Sequence, residues 1–317
     1  MSTEEKPPRL ARRGAREGAD NRDAAAAPEP NPARPESVIW IASFPKSGNS
    51  WMQRVIRRAG KRFGFPQTDL DVYKLIAAKR RPEVVDGIRP AVSANPTTVL
   101  KTHAKFDPEG EIHPELKLHT AGFVHVMRNP LDMLLSYINF TRMVYERRQD
   151  SEQYRNDLFI DLLGFAQPVP YEKWVDMKLE DIPRENLDHA LDRFAELGTA
   201  IPGVRMVGGT WLDHCFSWVE AGKTVPSAFF KYEELLQGPE QFLPLGKLFR
   251  FPERLIRRTV DVVNNKQRGM QYKKIFYNKM SSRYYAEFFS EAAISRFLER
   301  YGSELKRLGY GDLLGLD

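Results

Sequence analysis

The chain has 317 residues, 42% of them hydrophobic and 11% aromatic, enough to build a large core, and its formal net charge is +6. A single cysteine, Cys215, excludes an intrachain disulfide framework and suits a reducing compartment. No apolar run reaches membrane-span length and the first residues hold no signal-peptide core, so a cytoplasmic protein that does not enter a membrane is expected.

Residues 1–36 carry six prolines and eight alanines, with Met1 and Leu10 as the sole large apolar residues. Such a segment cannot bury enough surface to offset its ordering entropy, and it reads as a disordered tail before a folded domain over 37–317. Its seven Lys/Arg and seven Asp/Glu cancel, 7 − 7 = 0, which leaves the +6 to the folded part. A basic surface fits an anionic small molecule or a nucleic acid, and net charge alone does not choose between them.

The first element is the apolar, β-branched run Val38, Ile39, Trp40, Ile41. It breaks at Phe44-Pro45-Lys46-Ser47-Gly48-Asn49-Ser50 and passes into a helical pattern with Trp51, Met52, Val55, Ile56 and Ala59 on one face. The loop sets a lysine, small polar side chains, a glycine and free N–H groups at a helix N-terminus, an arrangement that binds phosphate. It is not the triphosphate loop G-x-x-x-x-G-K-[ST], because Lys46 precedes Gly48.

A polar, proline-broken stretch covers about 60–96. Thr97 to Leu100 then reads as a short buried strand ending in Lys101-Thr102-His103, and Ala121 to Met127 as another, running into Arg128-Asn129-Pro130. Asn129 suits an N-cap, Pro130 the first helical position and Asp132 the helix dipole, so a helix runs from Pro130 into the 140s. Residues 147–185 have weak periodicity and read as a mobile cover. Helices are predicted near 186–199, 210–220, 239–249, 253–264 and 290–308, a strand at Ser227 to Lys231, and a short extended piece at 204–207. Strands alternating with helices predict a single α/β domain: a central parallel sheet flanked by helices, with the phosphate-binding loop after its first strand.

Ligands in such folds sit at the C-terminal ends of the strands. The first strand leads to Lys46, the second to Lys101 and His103, the third to Arg128. Ser136 lies seven residues beyond Asn129, two helical turns on, and faces the same way. Cations at three buried strand ends are costly without an anion to meet them. Two phosphate sites fit, one at 46–51 and one at Arg128 and Ser136.

These residues together resemble the PAPS-dependent sulfotransferases related to the cytosolic enzymes. The likeness runs from about Val38 to Tyr310. FPKSGNSW resembles their 5′-phosphosulfate loop, RNPLDMLLSYINF their 3′-phosphate segment, KTH their catalytic lysine-x-histidine, and the tyrosine of KYEE one that meets adenine. The resemblance implies transfer of a sulfuryl group from 3′-phosphoadenosine 5′-phosphosulfate (PAPS) to a hydroxyl or amine of a small-molecule acceptor, without a metal. It implies His103 as general base, Lys46 and Lys101 as electrostatic catalysts, and Lys46, Ser47, Gly48, Asn49, Ser50, Trp51, Arg128, Ser136 and Tyr232 as donor-binding residues. Near the C-terminus the family carries an Arg-Lys-Gly. If Phe289 is aligned with the family's phenylalanine, this chain has Asn278, Lys279 and Met280 there, which leaves Lys279 as a donor contact and Arg283 as a substitute charge. Thr259 stands where the family has a nucleotide-contacting serine. The alanine- and arginine-rich composition points to a natural-product acceptor.

Other readings have weaker support. A kinase would want a triphosphate loop, and no G-x-x-x-x-G-K-[ST] occurs. A nucleic-acid binder would cluster its basic residues among exposed aromatics, whereas these are spread out. A nucleotide-binding relative without catalysis would not need both Lys46 and His103. His113, His119 and His125 recur at a spacing unlike that of zinc sites, and His214 and Cys215 read as packing beside Trp211 and Trp218.

Overall fold

Four apolar segments pair in parallel into one sheet, in the order β2-β1-β3-β4, where β1 is Ser37–Ala42, β2 Thr97–Thr102, β3 His119–Met127 and β4 Ser227–Lys231. The computed structural model describes residues 37–62, 97–106, 119–148, 150–204, 209–269 and 283–316. The chain divides into two units, Met1–Asn31 and Pro32–Asp317, and every described residue belongs to the second. The tail predicted for 1–36 and the extended piece at 205–207 lie outside the described residues, as does Lys279.

The ladder fixes which strand ends stand side by side. Ile41 pairs Lys101 and Val124, Ala42 pairs Thr102 and His125, and Met127 pairs Lys231. All four strands therefore finish at one edge of the sheet, where the predicted site residues were sought.

Alternate residues point to opposite faces. Ile39, Ile41, Val124, Val126 and Phe230 are buried with Met52, Val55 and Ile56 of α1 (Asn49–Arg62). Phe242, Ile256 and Val260 complete that layer. On the other face Phe123 meets Trp218 edge-on, with ring centroids 4.8 Å apart. The larger core lies beyond β3, around α2 (Pro130–Tyr145), α3 (Arg184–Glu196), α4 (Trp211–Ala221) and α6 (Glu291–Arg307).

The caps follow the sequence. Asn129 accepts from the Leu131 N–H at the start of α2, with Pro130 in the first turn. Thr210 and Asp213 form a capping box on α4. The helix predicted for 239–249 is broken instead into Pro239–Phe242 and Leu245–Phe249, with Pro244, which has no N–H to continue a ladder, between the two. The helix predicted for 253–264 extends to α5, Glu253–Gly269.

The segment read as a cover is built otherwise. Short helical turns at Glu152–Arg155, Asn156–Leu162 and Tyr171–Asp176 bury Tyr154, Leu158, Phe159, Leu162 and Trp174. Phe159 and Trp174 meet edge-on at 5.0 Å. These residues are core; Glu152–Arg155 runs directly into the wider-wound Asn156–Leu162, and Tyr154, Leu158, Phe159 and Leu162 line one side of that stretch.

Candidate active site

The loop after β1 is shaped by two left-handed residues, Lys46 (φ 70°) and Gly48 (φ 103°). The Gly48 carbonyl accepts from the N–H groups of Trp51 and Met52 and so starts α1. Gly48 has no room for a side chain, since a Cβ there would stand 2.8 Å from Cδ2 of Tyr232.

Asn49 does something its sequence position does not reveal. Its side-chain amide donates to the carbonyls of Ile41 (3.1 Å) and Thr102 (3.0 Å). It thereby ties the loop to the ends of β1 and β2. Ser47 is fully buried and Ser50 exposed. Trp51 is buried behind Tyr232, with ring centroids 5.8 Å apart, and its indole N–H donates to Asn264 on α5.

Arg128, at the end of β3, joins three parts of the site. Nη1 donates to the Lys46 carbonyl (3.2 Å), its guanidinium carbon lies 4.4 Å from the centroid of the Tyr232 ring, and Nε has no hydrogen-bond partner among the described residues. Ser136, two turns along α2, is the one partly exposed residue between positions 130 and 139. Lys46 Nζ sits 4.2 Å from the Phe140 centroid. Burial, then the charges of Arg128 and Lys101, pull the Lys46 ammonium down to about 7. A buried lysine held down by two neighbouring cations sits in a field suited to a polyanion.

His103 is oriented from behind. Its Nδ1 lies 2.7 Å from the Ser43 carbonyl, which can only accept, so Nδ1 carries the proton and Nε2 the lone pair. The segment that follows is fastened to α4. Trp218 donates to the Ala104 carbonyl (3.1 Å), and the Phe106 N–H donates to Ser217 Oγ (2.9 Å). Sequence reasoning read Trp218 as packing; its part in holding the histidine's strand end appears only in three dimensions.

Two carboxylates, Asp132, expected only to favour the helix dipole, and Glu233, given no role in the sequence, hold backbone at the same edge. Asp132 accepts from the N–H groups of Arg283 (3.1 Å) and Tyr285 (2.8 Å), anchoring the chain where it returns after 282. Arg283, expected as a substitute charge, directs Nη2 to the Asp312 carbonyl. Glu233 accepts from the Asn129 N–H (2.8 Å). The partners of both carboxylates lie far away in sequence, and adjacency to Arg128 or Tyr232 does not reveal them. Thr259 is buried on α5, beside Val260 in the core.

Among the described residues one trio, His125, His214 and Cys215, has the donors for a metal ion. All three are buried, and burial holds both imidazoles well below their ordinary range and the thiol well above. The neutral rings approach at 3.4 Å, Nε2 of His125 to Nδ1 of His214, a donor–acceptor contact that needs no ion.

The sequence matches the family model described as "Sulfotransferase domain" over residues 36–309. Human sulfotransferase 1C2 is 21% identical over 231 residues, 72% of this chain and 62% of the relative. Mouse sulfotransferase 1A1 is 22% identical over 256 residues, 79% of this chain and 70% of the relative. The matched stretch thus spans about three fifths of the length of the human protein. The crystal structure of mouse sulfotransferase SULT7A1 complexed with PAP superposes with a TM-score of 0.53 and 15% identity, covering 89% of each chain, which extends the likeness to the fold.

Proposed function

The chain belongs to the sulfotransferase family, and on that premise we propose that it transfers the sulfuryl group of PAPS to a hydroxyl or amine of a small-molecule acceptor. One observation carries the reading: the N-terminus of α1, Lys46, Lys101, Arg128 and Tyr232 converge at one sheet edge, a layout of cations, N–H groups and one aromatic ring that matches a nucleotide with two separated phosphates.

In this reading the loop N–H groups from Ser47 to Trp51 and Lys46 receive the 5′-phosphosulfate. Arg128 and Ser136 receive the 3′-phosphate, where a guanidinium binds two oxygens at once. Tyr232, backed by Trp51, meets the adenine. Lys279 adds charge at the 3′-phosphate, in keeping with the tether of Arg283 and Tyr285 to Asp132 just beyond it.

His103 Nε2 takes the acceptor proton. The acceptor oxygen or nitrogen forms a bond to sulfur as the bond from sulfur to the bridging oxygen breaks, in line. The electron pair left on that oxygen is neutralised by Lys46, while Lys101 steadies the sulfuryl oxygens, so the transition state is stabilised by fixed charge. Adenosine 3′,5′-bisphosphate (PAP) leaves. Side chains supply all the positive charge in this scheme, and no metal takes part. A natural-product acceptor and a cytoplasmic location complete the proposal; no helix among the described residues is long and apolar enough to cross a membrane.

Calorimetric titration with PAP, ADP and ATP tests the donor. PAP is expected to bind at least about tenfold more tightly than ADP, the worth of one charge-assisted contact. A preference for ATP, or no binding of any of the three, overturns the reading.

A further inference from the structure

The ladder between β3 and β4 ends at Met127 and Lys231. Two residues further along each chain stand Asn129 and Glu233, and here the pairing is continued by a side chain. Glu233 is 6% exposed, its Oε1 accepts the Asn129 N–H at 2.8 Å, and Oε2 has no hydrogen-bond partner among the described residues. Asn129 caps α2 through its own side chain. One carboxylate therefore fixes the backbone between Arg128 and α2, the helix that also carries Ser136. The neighbour of Glu233 on one side is Tyr232, whose ring lies against Arg128; on the other, the charges acting on the carboxyl are those of Arg128 and Asp132. A charge buried this deeply is costly unless the structure uses it.

We propose that Glu233 is a positioning residue that sets the angle of the Arg128–α2 arm against Tyr232, and so determines how well the protein distinguishes a nucleotide carrying a 3′-phosphate from one without. The inference rests on the donor site proposed above. Burial, opposed by the Asn129 N–H, raises the Glu233 carboxyl to about 7, in keeping with a group held for its geometry rather than its solvation.

The test uses the full chain with Glu233→Gln, Glu233→Leu and Glu233→Asp, each titrated with PAP and with ADP after its thermal melt is recorded. Glu233→Gln keeps an acceptor oxygen on Asn129, and its PAP-to-ADP affinity ratio is expected within about threefold of wild type. Glu233→Leu removes the acceptor and should lower that ratio about tenfold, the scale of one lost buried hydrogen bond. Should Glu233→Leu fail to fold, Glu233→Asp, which withdraws the oxygen by one methylene, decides with a ratio lowered at least about threefold. A ratio unchanged in Glu233→Leu and Glu233→Asp, or lowered as much by Glu233→Gln, overturns the proposal. A wild type that does not prefer PAP over ADP overturns the donor site itself, so the two failures are distinguishable.

Discussion

Titrating the nucleotide site across pH probes the charge arrangement most directly. Burial, Arg128 and Lys101 hold the Lys46 ammonium down at about 7 in the ligand-free protein. Bringing phosphate beside it reverses the balance and raises it toward its ordinary value near 10.5. The sign follows. Below pH 7 Lys46 is charged with or without ligand, and affinity does not depend on it. Above pH 7 the free protein loses the proton while the complex keeps it, so binding takes up a proton and weakens as pH rises. At pH 8 roughly nine tenths of the free lysine is neutral, which gives uptake of about 0.9 proton per nucleotide and affinity about tenfold below the plateau, at about 1.4 kcal/mol per pH unit. The PAP phosphates, with second ionisations near pH 6, are already ionised there. Glu233 adds only the small fraction it still titrates, and Lys46→Met separates the two. Calorimetry at pH 8 in two buffers of different ionisation enthalpy counts the protons. Wild type without uptake, or equal uptake by Lys46→Met, refutes the account of Lys46 as a buried lysine held down by its cationic neighbours.

His103→Ala should lower kcat by about 10²–10⁴ while PAP affinity stays within about twofold; turnover that survives would remove the histidine from the chemistry. Asn49→Ala loses two buried hydrogen bonds and should cost about 2 kcal/mol, and Asn49→Asp more, because a carboxylate would face two carbonyls; urea unfolding that ranks the two the other way contradicts the tie between β1 and β2. Gly48→Ala puts a methyl against Tyr232 at a φ that disfavours it, so a stability loss of about 2 kcal/mol with at least about fivefold weaker PAP binding is expected, read by melting and calorimetry together. Trp174→Ala should cost about 3–5 kcal/mol if 147–185 is core, and under about 1 kcal/mol if the segment were a loosely laid cover.

Much of this site could be read along the chain because its chemistry sits on short runs. FPKSGNSW, KTH and RNP each end a strand with few residues between backbone and function, so strand prediction puts Lys46, His103 and Arg128 at one edge, while Tyr232 of KYEE enters only through the family resemblance. What escaped depends on pairs distant in sequence. Asn49 reaches Thr102, Trp218 reaches Ala104, and Glu233 reaches Asn129 across 104 positions. Nothing at Glu233 marks it as more than one of two consecutive glutamates until β3 and β4 are in register. In 147–185 the buried side chains come from a stretch at 152–162 that changes winding midway and from the short turn Tyr171–Asp176, which blurs the period along the chain.

The strand order has a consequence for how such a protein can diversify. His103 rides on β2 at one margin of the sheet and Tyr232 follows β4 at the other, with the phosphate loop and Arg128 on the two central strands between them. On the proposed reading, donor recognition at Tyr232 and proton removal at His103 fall on opposite flanks, joined through the charged centre and through Asn49, which ties the phosphate loop to Thr102. On that reading, acceptor choice is open to change around β2 while the nucleotide contacts carried by β1, β3 and β4 stay as they are.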